Sequence, residues 1–240
     1  MFTARRSGID DGWDSAVSSG FALAGFLSLV FVAFTALAMG PLMRYDAYFN
    51  LAPPPAEWVP FLQALDRIGQ RAVALPVLAV ALWWVYRRRP SWRPLVLAAV
   101  SVFALNLVVL LLKVALGRSA PGTADPSFFA GGMAYPSGHA ANIVLVYGLA
   151  VYVVSRYAAP SRTARSLLWA LVALLAVTMV ATSLTLNWHW FADLVAGLLV
   201  GGVVLELTVT VDRWVPSRVL ASGGRDGLRE LVGWVRRRPV

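Results

Sequence analysis

A chain of 240 residues that is 59% hydrophobic, with a mean hydropathy of +0.68, carries more apolar surface than a soluble domain of that length can bury. Its formal net charge of +9 comes from arginines clustered between apolar runs, which suits anionic headgroups and topology signals rather than nucleic acid. With no cysteine, disulfides and thiolate metal sites are excluded.

Residues 1–20 read as a cytoplasmic N-terminal segment. Arg5 and Arg6 lie in it, and Asp10, Asp11 and Asp14 make it a poor start for a signal peptide. Residues 21–211 read as a membrane domain with six apolar runs: Phe21 to Leu42, Val73 to Tyr86, Leu95 to Leu116, His139 to Tyr157, Ser166 to Leu186 and Trp190 to Val211. Most approach the ~20 residues that a helix needs to cross ~30 Å of hydrocarbon. The second run is short and contains Pro76, so its start is placed back toward Ile68. None alternates like a barrel strand, and a backbone satisfied within lipid then leaves helices.

The linker from Met43 to Arg71 holds Pro53, Pro54 and Pro55, followed by Trp58, Phe61, Leu62 and Leu65 at helical spacing, which suggests an interfacial helix. Arginine clusters follow runs two and four, and more lie in the basic tail, residues 212–240. With six spans these all share one face with the N-terminus, and the positive-inside rule makes that face cytoplasmic. The linker, the loop Gly117 to Gly138 and the turn near Asn187 fall on the other side.

That opposite side holds the chemistry. Lys113, the only lysine, ends run three, and Arg118 lies just beyond it. A lysine in lipid is costly and usually faces a polar cavity. Pro136-Ser137-Gly138-His139 opens run four, where backbone N–H groups and the helix dipole suit an anion. His189 and Asp193 are four apart and share a helical face. The carboxylate there can hold one imidazole nitrogen and leave the other free to attack. These residues describe a phosphoryl-transfer site. Lys113, Arg118 and the N–H groups near Ser137 and Gly138 hold the phosphate, His189 attacks phosphorus, Asp193 orients it, and His139 protonates the leaving group.

The residues resemble the type 2 phosphatidic acid phosphatase superfamily, whose motifs are K-x6-R-P, P-S-G-H and S-R-x5-H-x3-D. The second motif is intact at Pro136 to His139, H-x3-D is intact at His189 to Asp193, and Lys113 has Pro121 at the correct offset. The resemblance covers about Leu95 to Val211. It implies an all-α, six-helix membrane bundle, a phosphohistidine on His189, hydrolysis by water, and no metal or other cofactor. The implied substrate is a polyprenyl phosphate or diphosphate, phosphatidate or phosphatidylglycerol phosphate, met in the bilayer of the plasma membrane on its extracytoplasmic side. Three positions depart from the motifs. Ala120 and Ser183 stand where the family has phosphate-binding arginines, and Thr182 replaces the family serine. The sequence assigns Arg118 to the vacated role. Two alternatives stay open: a phosphotransferase of the same fold, and a pseudophosphatase that only binds lipid phosphates.

Overall fold

A computed structural model describes residues 7–49 and 52–215. Helix α1 covers Ser7–Ala38, so it begins inside the segment read as an N-terminal extension. Two short helices follow on the linker, α2 Met43–Tyr48 and α3 Val59–Asp66. Then come α4 Arg71–Arg88 and α5 Arg93–Leu116. The next span is built from α6 Gly138–Asn142, a π-helical turn Ile143–Tyr147, and α7 Gly148–Tyr157. Helices α8 Arg162–Thr185 and α9 Phe191–Trp214 complete the bundle. The tail beyond residue 215 lies outside the described residues, as do Arg5 and Arg6.

Five of these elements are long and apolar enough to cross a membrane: α1, α5, the α6–α7 span, α8 and α9. The sixth candidate is the bent pair Val59–Gly69 and Arg71–Arg88, which meet at 48°. The second apolar run therefore does reach back past Ile68, but through a break at Gln70 rather than as one straight helix. Helix α4 packs along α6, the π turn and α7, so it traverses the same depth as that span. A helix does form where the spacing around Trp58 suggests one: it is α3, with Trp58 and Phe61 exposed and Asp66 buried.

The α6–α7 span is the centre of the bundle. Its most apolar stretch is 72% buried, against 17% for α1 and 22% for α5 and α8, whose outer faces are left to lipid. Glycines let α9 lie against this centre. A Cβ at Gly197 would stand 2.4 Å from the Ser137 carbonyl oxygen, and one at Gly201 would stand 2.6 Å from that of Ala141. Close backbone approach through small residues is the usual route to tight helix packing in lipid, where apolar burial alone drives little. It fixes the helix carrying His139 against the helix that His189 precedes.

At the other end of the bundle Arg93 donates from Nε to Asp212 at 2.6 Å and from Nη2 to the Val215 carbonyl at 2.8 Å. Tyr152 donates to the second Asp212 oxygen at 2.7 Å. This cluster joins α5, α7 and α9 far from the histidines.

Candidate active site

The ends of α4, α5 and α6 opposite the Arg93–Asp212 cluster enclose a cavity of about 560 Å³, with His189 at its edge. Lys113, Gly138, His139 and His189 line it, as the sequence suggests, together with Gln70, Arg71, Asn106 and Asn142. The histidines arrive from separate elements. His139 sits in the first turn of α6, whose N-cap Ser137 accepts from the Ala140 N–H at 3.4 Å. His189 lies two residues before α9. Its Nδ1 is 3.3 Å from Asp193 Oδ2, which also accepts the Trp190 N–H at 3.0 Å. One carboxylate oxygen thus caps the helix and orients the imidazole, leaving Nε2 outside the pairing.

The other Asp193 oxygen explains Arg118. Its guanidinium is fully buried and donates to Asp193 Oδ1 at 2.7 Å, to Asp46 Oδ2, and through Nε to the Pro126 carbonyl at 3.0 Å. Phe128 stacks under it at 4.7 Å and Trp190 lies 5.7 Å away. Asp46 in turn accepts the Ala192 N–H at 2.9 Å, so α2 is fastened to the start of α9. All three guanidinium nitrogens of Arg118 donate inside the protein. Arg118, which the sequence assigns to phosphate, is not among the residues that line the cavity; it is an internal counter-ion to Asp193 and Asp46.

Ser137 is fully buried. Its N–H donates to the Asp193 carbonyl at 2.8 Å, and its hydroxyl oxygen accepts the Ala140 N–H as the cap of α6. Gly138 lines the cavity. Lys113 donates to the Met133 carbonyl at the cavity wall. Tyr135 is buried beside the site; burial pushes its phenol up to about 12, and it shares a 2.6 Å hydrogen bond with Thr35.

Three residues that the motifs do not mark belong to the surroundings of this cavity. Arg71, the first residue of α4, lines it as an exposed cation. Asp46 and Asp66 are buried acids on the linker, in a chain with only 12 acidic residues. Ser183 donates to Asp66 Oδ1 at 2.7 Å, while Asp66 Oδ2 has no hydrogen-bond partner and lies 4.0 Å from His139 Nε2. The scarcity of acids in so apolar a chain was the available signal, because a carboxylate near lipid needs a partner.

The sequence matches the PAP2 superfamily over residues 94–216, slightly more than half of the chain. The chain belongs to the PAP2 superfamily. The fold is similar to the crystal structure of the first transmembrane PAP2 type phosphatidylglycerolphosphate phosphatase from Bacillus subtilis, with a TM-score of 0.64 at 16% identity, covering 81% of this chain and 98% of the other. No curated protein matches the sequence. The PAP2 chain is accordingly a multi-pass membrane protein of all-α fold and an enzyme of phosphatase type. Within the PAP2 match the two histidines and Lys113 meet at one cavity, whereas the positions of the two absent arginines do not supply it: Ala120 is exposed and Ser183 is buried against Asp66.

Proposed function

We propose that this enzyme hydrolyses a phosphomonoester or diphosphate of a lipid through a phosphohistidine on His189, at the extracytoplasmic face of the plasma membrane. The observation that carries the reading is the pairing of His189 Nδ1 with a carboxylate that Arg118 holds in place, at the rim of a cavity that His139 and Lys113 also line. Nε2 of His189 attacks phosphorus as the bond from phosphorus to the leaving oxygen breaks, and that oxygen takes a proton from His139. Water then attacks the phosphohistidine, giving one proton back to His139 and releasing phosphate with His189 restored. Hydrogen-bonded pairing of nucleophile and carboxylate supports catalysis over mere binding, because holding a phosphate needs no oriented nucleophile.

The cavity also suits a lipid. Leu105, Val109 and Leu110 continue its lining down α5 from Lys113, a depth of ~12 Å at 1.5 Å per residue. Helix α4 packs mainly on α7 and the π turn and α5 mainly on α9, so a chain can lie between them with its headgroup at the histidines. The test is phosphate release from polyprenyl phosphates and diphosphates, phosphatidate and phosphatidylglycerol phosphate, with and without EDTA. Release by the protein that equals release by its His189→Ala variant on every substrate would remove the enzyme reading.

With Arg118 committed elsewhere, Arg71 is the cation placed to join Lys113 in holding phosphate oxygens. A positive charge at a helix N-terminus opposes the dipole, so its position there answers to the cavity rather than to α4. Arg71→Ala is expected to lower kcat/KM by roughly 10²-fold, the scale of one lost charged contact to the transition state, and Arg71→Lys to restore part of it. Unchanged kinetics in Arg71→Ala would leave Lys113 as the sole cation of the site.

Orientation follows from the arginine asymmetry. In intact cells an impermeant thiol reagent is expected to label a Ser127→Cys variant and spare Ser161→Cys. The reverse pattern would place the cavity on the cytoplasmic side.

A further inference from the structure

The family arginine that Ser183 replaces leaves more than a missing charge. Ser183 is fully buried near the end of α8, and its hydroxyl holds Oδ1 of Asp66 at 2.7 Å. Asp66 comes from the last turn of α3 and is itself fully buried. Its Oδ2 is the only carboxylate oxygen among the described residues that is buried without a hydrogen-bond partner, and it faces His139 Nε2 at 4.0 Å. A buried carboxylate oxygen without a donor is costly, and that imidazole, 4.0 Å away, is able to supply one.

We infer that Asp66 is the positioning residue of His139, forming a second carboxylate–histidine pair that mirrors Asp193–His189. The inference rests on the phosphatase reading above and extends it to the acid side of the reaction. The surroundings keep the pair in register. The 3₁₀ turn Arg67–Gly69, which follows Asp66 directly, lies against α6: a Cβ at Gly69 would stand 2.8 Å from that of His139. Asn142 donates to the Gly69 carbonyl at 3.2 Å and Tyr147 to that of Ile68 at 2.9 Å. Closing the gap from 4.0 Å to hydrogen-bond length takes a ring movement of ~1 Å, and such contacts commonly tighten once substrate is bound. The pair then fixes the imidazole with one nitrogen on Asp66 and the other toward the leaving oxygen. The carboxylate also offsets the charge of the imidazolium, which otherwise faces Lys113 and Arg71 across the cavity. An arginine at position 183 would take Asp66 as its own counter-ion, so the serine is what leaves the second oxygen for histidine.

A residue acting through His139 affects substrates according to how much their leaving group needs a proton. The experiment compares a lipid alkyl phosphate with p-nitrophenyl phosphate, whose leaving group departs without one, in the wild type, Asp66→Asn, Ser183→Ala, His139→Ala and His189→Ala. Asp66→Asn is expected to lose roughly 10- to 10²-fold in kcat/KM on the lipid and less than about threefold on the aryl ester, following His139→Ala. Ser183→Ala, a milder change with lower risk to folding, is expected to show the same selectivity at smaller size. Equal losses on both substrates, or none, would overturn the role of Asp66. Wild-type turnover that survives His189→Ala on both substrates would instead overturn the phosphatase reading on which the role rests.

Discussion

Arg118→Ala is expected to destabilise the protein by about 3–5 kcal/mol, the scale seen when one partner of a buried ion pair is removed, out of the 5–15 kcal/mol typical of a whole domain. Removing the guanidinium leaves Asp46 and Asp193 buried with no cation between them, strips the Pro126 carbonyl of its donor, and empties the space over Phe128 and beside Trp190. The loss should appear as a large fall in thermal unfolding temperature in detergent, accompanied by loss of turnover because Asp193 no longer presents its other oxygen to His189. Arg118→Lys is expected to recover little: an ammonium cannot reach two carboxylates and a carbonyl from one planar fork. Adding Asp46→Asn to Arg118→Ala is expected to restore part of the stability, since it removes one stranded charge. If Arg118→Ala unfolds normally yet loses kcat/KM on phosphate esters, the guanidinium serves substrate directly and the internal role is wrong.

The other large effect is expected at His189. On the proposed mechanism no phosphoryl-enzyme forms without His189, and a loss of 10⁴-fold or more in kcat is roughly the scale seen when a residue of a covalent catalytic unit is deleted. Acid quenching of wild-type protein with labelled substrate, followed by gel analysis under alkaline conditions that preserve phosphohistidine, should show label that is absent from His189→Ala. His139→Ala should accumulate label from an activated aryl phosphate, because attack still proceeds while the later attack by water lacks its base. Label retained in His189→Ala would move the nucleophile elsewhere in the cavity.

The architecture was legible because membrane helices announce themselves residue by residue: the six apolar runs fall on α1, α4, α5, the α6–α7 span, α8 and α9. The histidines and Lys113 stood out because they are rare in this chain, two histidines and one lysine, and fall where apolar runs begin or end; the structure brings all three to one cavity. What sequence could not supply was the destination of long side chains. Arg118 looked like a loop charge within reach of phosphate, yet a guanidinium with five donors goes wherever buried acceptors gather, and those came from Asp46 and Asp193, 72 and 75 positions away. Asp66 and Arg71 flank a bend on the linker, where no periodicity marks them, and their relation to His139 exists only once the Arg67–Gly69 turn lies against α6.

The sharing of Asp193 between Arg118 and His189 has a consequence for how this chain can diverge. Position 193 is constrained by chemistry and position 118 only by charge balance, but the two cannot drift separately. A neutral residue at 118 is tolerable only after 46 has also lost its charge, and the order matters, since the reverse order leaves two buried acids with no cation between them. Descendants of this sequence should therefore carry Asp46 and Arg118 together or lack both, with His189 and Asp193 present in either lineage. A comparison of close relatives would show positions 46 and 118 inherited as one character, although they lie on opposite sides of three helices in the chain.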